Sequence, residues 1–140
     1  MKLLTKDTDY AVRALIELGV SGETYVSARE ISEKQQIPYQ FLRRIMQDLI
    51  KGGLVKSKEG GGGGFRLRGH PLKIKVADVI RMFQGEIELS ECMFRKKICA
   101  NRPHCVLRSN IKNIEAKVIK EFEKITIGQL IRQAIQRNKA

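Results

Sequence analysis

Apolar residues recur along this chain at two periods, and the switches between them divide it. Residues 8–20 carry Tyr10, Ala11, Ala14, Leu15 and Leu18 at helical spacing, with Gly19 or Gly22 as the stop. Ser27 and Glu30 form a capping box: the hydroxyl takes the Glu30 amide and the carboxylate reaches back to the Ser27 amide. This opens a short helix over 28–35. Gln36-Ile37-Pro38 breaks it, because the residue before a proline is pushed out of helical geometry. A second helix can start near Pro38 or Tyr39, since proline is tolerated in a first turn. Its apolar face is Phe41, Leu42, Ile45, Met46, Leu49 and Ile50, ending at Gly52-Gly53. A short helix, a tight connection and a longer helix make the helix-turn-helix pattern, whose second helix enters the DNA major groove.

The period then falls to that of a strand. Leu54-Val55-Lys56-Ser57-Lys58 and Phe65-Arg66-Leu67-Arg68 flank the glycine run Gly60 to Gly64 and predict a hairpin, a wing beside the recognition helix. The glycines supply positive φ at the tip. No Lys-Ser/Thr follows them, so they are not a nucleotide phosphate loop. Lys56, Lys58, Arg66 and Arg68 alternate on the paired strands, which would point one member of each pair at DNA and the other at solvent.

Helical spacing returns over 75–85 with Val76, Val79, Ile80 and Phe83. From Leu107 to Ile125 it forms a near-heptad stripe that includes Ile111, Ile114, Val118 and Phe122. Too little chain remains to cover that stripe, so these four residues are expected in a dimer interface. Thr126 caps a last helix, whose polar, basic end from Arg132 is expected to fray. The fold class is thus mainly α with a small β-hairpin: a winged helix-turn-helix plus a long dimerisation helix. Residues 1–85 would form the DNA-binding domain, 86–106 a cysteine loop, and 107–140 the dimerisation and C-terminal helices.

Charge sharpens this picture. The chain has 140 residues and a net charge of +12. Nine basic residues and only two acidic ones lie between Arg43 and Lys75, where the pattern places the recognition helix and wing. That concentration favours double-stranded DNA over an anionic membrane surface. Tyr39, Gln40, Arg43 and Arg44 stand at the N-terminal end of the recognition helix. There Gln40 can pair with adenine and Arg43 with guanine, while Arg44 is expected on a phosphate. No apolar run is long enough to span a bilayer. Asp7, Asp9 and Glu17 interrupt the N-terminal apolar stretch, so it reads as a first helix and the expected location is cytoplasmic. No catalytic constellation can be argued, so neither an enzyme nor a small-molecule substrate is expected.

The remaining chemistry lies in Cys92, Cys99 and Cys105, spaced C-x6-C-x5-C. Three thiols in a reducing compartment suit a soft-metal site better than disulfides. The spacing is wider than zinc-finger pairs and does not choose a metal. Three readings stand: an iron–sulfur sensor, a thiol switch without metal, and a zinc-containing nucleic-acid-binding accessory protein.

Several segments together resemble one family. They are Leu4-Thr5-Lys6 with Thr8-Asp9-Tyr10-Ala11-Val12-Arg13, Ala28 to Glu33, Gln36-Ile37-Pro38, Leu42, Leu49 to Val55, Gly62 to Leu67, the three cysteines, and Ile125 to Leu130. The chain resembles, nearly end to end, the dimeric winged-helix transcription regulators of the IscR, NsrR and RirA type. The resemblance implies a homodimeric regulator, of repressor type, that binds an operator and senses iron–sulfur status, redox stress or nitric oxide. It implies that a helix from about Pro103 to Lys124 crosses its partner. It implies an iron–sulfur cluster, 2Fe-2S or 4Fe-4S, on Cys92, Cys99 and Cys105. In the NsrR type an aspartate of the partner's first helix completes the ligands, and Asp9 matches it. A carboxylate there is also favoured simply by the helix dipole. His104, Glu86, Glu88 and Glu91 are other nearby donors. The chain departs from the pattern at the first cysteine gap, one residue longer than usual. It also has Arg108 where the IscR type has a histidine ligand, and Glu59 and Gly61 where the wing has arginine and proline.

Overall fold

The computed structural model describes residues 3–89, 93–94 and 97–139. Helix α1 (Lys6–Val20) begins two residues before the expected Thr8, because Thr5 is its cap: the Thr5 hydroxyl accepts the Thr8 N–H at 3.3 Å. Thr8 is buried and donates to Gln84 Oε1 at 2.7 Å. Gln84 Nε2 in turn donates to the Leu3 carbonyl at 2.9 Å, which pins the start of α1 to α4 (Val76–Gln84).

Helix α2 (Ala28–Gln35) opens with the Ser27 hydroxyl on the Glu30 N–H at 3.1 Å. Only this half of the expected box is described. The Glu30 carboxylate instead meets Lys34 at 3.0 Å, the i,i+4 partner one turn on. Gln36 closes α2 in the left-handed region at φ 53°. That single reversal turns the chain into α3 (Tyr39–Lys51), with Pro38 at its cap position. Leu42, Ile45, Met46 and Leu49 are buried as their spacing predicts, but Phe41 is exposed and lies beneath the Arg44 guanidinium.

Strands β1 (Val55–Lys58) and β2 (Gly64–Leu67) pair antiparallel around the glycine turn. Gly60 and Gly62 have positive φ there. A Cβ at Gly64 would collide with the Val26 carbonyl, so glycine admits a third strand-like segment: Val26 and Phe65 exchange two backbone bonds at 2.8 Å.

Strands β3 (Met93–Phe94) and β4 (Lys97–Ile98) pair antiparallel within the cysteine segment. Helix α5 runs Val106–Lys124, starting three residues after Pro103, which sits in a short 3-10 turn over Arg102–His104. Helix α6 (Ile127–Lys139) opens on a reciprocal box. The Thr126 hydroxyl accepts the Gln129 N–H at 3.1 Å and Gln129 Oε1 accepts the Thr126 N–H at 3.2 Å.

The end expected to fray is helical to Lys139. The first half of α6 folds back on α1, where Ile127 and Ile131 join the core with Leu15 and Leu18 and Ile135 packs partly against it, while residues 136–139 are exposed. Gly19 makes the approach possible, since a Cβ there would collide with the Ile131 side chain. Residues 127–139 therefore share one core with the helix-turn-helix. No described helix is long and apolar enough to cross a membrane.

Candidate functional site

Helix α3 presents Gln40, Arg43, Arg44 and Gln47 around one shallow surface concavity. All four side chains are exposed because Leu42, Ile45, Met46 and Leu49 take the opposite face into the core. Gln47 was absent from the sequence assignment. It lies one turn after Arg43, a signal that helical spacing could have supplied. Tyr39 stands between two cations, with Arg29 of α2 at 5.4 Å and Arg43 at 5.8 Å from its ring centroid. This stacking holds Arg43 in place at a modest energy, about 0.5–1 kcal/mol for an exposed pair. Arg44 is engaged differently: its Nη2 donates to both oxygens of Asp7 at 3.0 Å.

The wing corrects the expected alternation. Lys56 pairs directly with Arg66, and Lys58 is two residues from Lys56. Opposed residues of an antiparallel pair share a face, as do residues two apart. Lys56, Lys58 and Arg66 therefore lie on one side of the hairpin, not on opposite sides. Arg68 follows two residues beyond Arg66, and its N–H donates to the Leu54 carbonyl at 2.9 Å, extending the ladder. Tyr25, also missed in the sequence, lies under this face: Arg66 is 5.4 Å and Lys58 5.8 Å from its ring. Arg66 also donates to the Glu23 carbonyl at 3.3 Å.

Of the cysteines, Cys99 and Cys105 are described, both as free thiols, and Cys92 lies outside the described residues. Cys105 is the cap residue of α5, its sulfur accepting the Arg108 N–H at 3.3 Å. The Arg102 N–H donates to the Cys99 carbonyl at 3.1 Å. Arg102 and Arg108 lie within three residues of these thiols in sequence, and soft sulfur donors near cationic residues suit an anionic thiolate-held iron–sulfur group. Among the described residues no three His, Cys, Asp or Glu side chains converge within one chain.

Asp9 is engaged with another residue of its own helix. It is 53% exposed and accepts from Arg13 at 3.2 Å. Arg13 also donates to the Gln35 carbonyl at the end of α2. His104 ends its 3-10 turn exposed to solvent. Glu86 meets Arg81 at 3.5 Å, Glu88 is exposed, and Glu91 lies outside the described residues.

The stripe on α5 is split. Val118 and Phe122 pack partly on the chain's own core, Ile111 is half-buried, and Ile114 is 53% exposed. Ile114, Val118, Phe122, Ile125 and Leu3 line an apolar groove along the helix, edged by Lys117 and Glu121.

A family model described as an iron-dependent transcriptional regulator, Rrf2, matches residues 4–133. Over 130 residues the chain is 28% identical to the HTH-type transcriptional regulator NsrR of Shouchella clausii, covering 91% of this chain and 87% of that one. It is 30% identical over 132 residues to the regulator IscR of Vibrio vulnificus, covering 94% and 77%. Among solved structures it is similar to T. potens IscR, with a TM-score of 0.76 and 27% identity over 96% of this chain and 88% of that one. It is similar also to CymR, the global cysteine regulator of B. subtilis, with a TM-score of 0.77 and 26% identity over 95% and 98%.

Proposed function

The chain belongs to the Rrf2 family of transcriptional regulators, and we propose that it is a cytoplasmic homodimer that binds a palindromic operator and reads iron–sulfur or redox status through its cysteine loop. Its relatives are DNA-binding regulators and not enzymes. The observation that carries the reading is the pair of basic faces, one on α3 and one on the wing, in one chain with free thiols near the start of α5. In this reading residues 1–85 bind DNA, 86–106 hold the sensor and 107–140 dimerise, with α6 also bracing α1.

Arg43 and Gln40 read base edges, while Lys56, Lys58, Arg66 and Arg68 contact phosphates and set the register. Ile111, Ile114, Val118 and Phe122 meet a second α5, because the apolar groove is otherwise left to water. Two recognition helices held by that dimer then fit half-sites one turn of DNA apart.

Cys92, Cys99 and Cys105 would hold an iron–sulfur cluster, with Asp9 of the partner subunit as the fourth donor. Such a cluster supplies sensitivity to oxygen, nitric oxide and iron supply. For Asp9 to serve, it must leave Arg13, a modest cost for an exposed pair. Asp9 would then tie one subunit's cysteine loop to the other's DNA-binding domain. Its release would alter the angle between the recognition helices and so the match to the half-sites.

The likeness to the global cysteine regulator supports a second reading, in which the same thiols act without metal. Anaerobic reconstitution with iron and sulfide separates the two. The cluster reading expects a brown protein with visible absorbance that alters operator binding when lost. A colourless protein whose DNA binding follows thiol oxidation would establish the second. Uptake of one zinc and no iron would leave the site structural.

A further inference from the structure

Asp7 joins the first turn of α1 to the recognition helix through Arg44. Both Asp7 carboxylate oxygens accept from Arg44 Nη2 at 3.0 Å. The guanidinium lies over Phe41, 5.4 Å from the ring centroid. The pair is open to solvent, with the Arg44 side chain 55% and the Asp7 side chain 42% exposed. Arg44 stands beside Gln40, Arg43 and Gln47 on the surface assigned to the major groove.

A guanidinium grips a phosphate or a guanine with two parallel N–H bonds. It has two edges able to do so, Nη1 with Nη2 and Nε with Nη2, and Nη2 belongs to both. The Asp7 carboxylate occupies that shared nitrogen. Seated on that nitrogen, the carboxylate takes a donor from at least one of the two edges.

We propose that Asp7 is an intrachain rival of DNA for Arg44: its carboxylate stands where a phosphodiester would, and it lowers affinity for every duplex by the same factor. The proposal rests on the reading of α3 as the recognition helix. To reach a phosphate, Arg44 must first leave Asp7, and the freed carboxylate then adds a negative charge beside a polyanion. Both costs are independent of base sequence. Asp7 therefore acts on the electrostatic part of binding, and Arg43 and Gln40 keep the sequence-reading part.

The experiment is a double-mutant cycle. Binding of wild type, Asp7→Asn, Arg44→Ala and the double variant is measured against salt. The probes are the duplex recovered by in vitro selection and a random-sequence duplex. Asp7→Asn is expected to tighten binding to both duplexes by about two- to fivefold, the strength of an exposed ion pair. It should steepen the slope of log affinity against log salt by about 0.9 for each recognition helix bound. In the Arg44→Ala background the same change should gain clearly less, because only the repulsion between the free carboxylate and DNA is left to remove. Thermal melts check folding, and Asp7→Ser, also favourable in a first turn, is read the same way should the asparagine variant fail to fold.

Weaker binding of Asp7→Asn would overturn the proposal and make Asp7 a positioning residue for Arg44. A silent variant, or a gain undiminished by Arg44→Ala, would overturn it too. If the wild type binds no duplex at all, the DNA-binding reading falls with it. If the wild type binds and Asp7→Asn is silent, only the rivalry falls.

Discussion

The Glu115 carboxylate in α5 accepts the Leu89 backbone N–H at 3.0 Å, which fastens the chain three residues before Cys92 to the helix that Cys105 begins. Glu115 is buried at 8% exposure and also meets Lys112 at 3.1 Å. The Leu89 bond, followed by Lys112 and then Arg108, holds the carboxyl below its ordinary value of about 4.5. A depressed carboxyl stabilises the fold above that ordinary value, and the contribution is lost as pH falls through the lower folded one. Wild type should therefore lose stability more steeply below about pH 4.5 than Glu115→Gln, as thermal melts across pH would show. Near neutral pH, Glu115→Ala should cost about 1–3 kcal/mol by leaving the Leu89 N–H unpaired. It should also loosen the cysteine loop, seen as faster amide exchange around Leu89.

Arg43→Ala should weaken binding to a specific site by about 1–3 kcal/mol and relax preference at one base pair. Tyr39→Leu should reproduce part of this loss, because it removes the ring on which Arg43 rests. A selection experiment on the variants, returning an unchanged operator profile for Arg43→Ala, would refute the assignment.

Lys58→Ala and Arg66→Ala should each weaken binding to all duplexes and flatten the salt dependence. Since both cations stack on Tyr25, Tyr25→Leu should shift the salt slope in the same direction. Intact affinity and slope in both cation variants would remove the wing from the interface.

Ile114→Glu should convert a dimer to a monomer without unfolding the chain, because Ile114 is exposed in the single chain. Val118→Asp should do both, since Val118 also packs on the chain's own core. Sedimentation measures the first effect and thermal melting the second. A wild type that sediments as a monomer at micromolar concentration would remove α5 from any dimer interface.

Alanine at Cys92, Cys99 or Cys105 should yield colourless protein after anaerobic reconstitution. Asp9→Ala should retain the colour but lose it faster in air. If Asp9→Ala matches wild type in spectrum, stability and response, the fourth donor is another group, and His104 is the next to substitute.

The amino-acid sequence alone determined the order of elements and most of their limits. Ser27 with Glu30, Thr126 with Gln129 and the glycine run act within a few residues, so the signals for α2, α6 and the β1–β2 turn are written locally. The apolar spacing of α3 likewise identified which side faces the core, leaving Gln40, Arg43 and Arg44 outside. Tertiary structure decided what could not be read that way. The shared face of Lys56, Lys58 and Arg66 follows from strand register, which pairing across the hairpin sets. Helix α6 packs on α1 through Ile127 and Ile131, and apolar Phe41 is left exposed by its place on α3. The Asp7–Arg44 pair spans 37 residues of sequence and the Glu115–Leu89 bond 26. Helical period and capping carry information over about one turn. Contacts of that reach exist only after the packed core has fixed how α1, α3 and α5 approach one another.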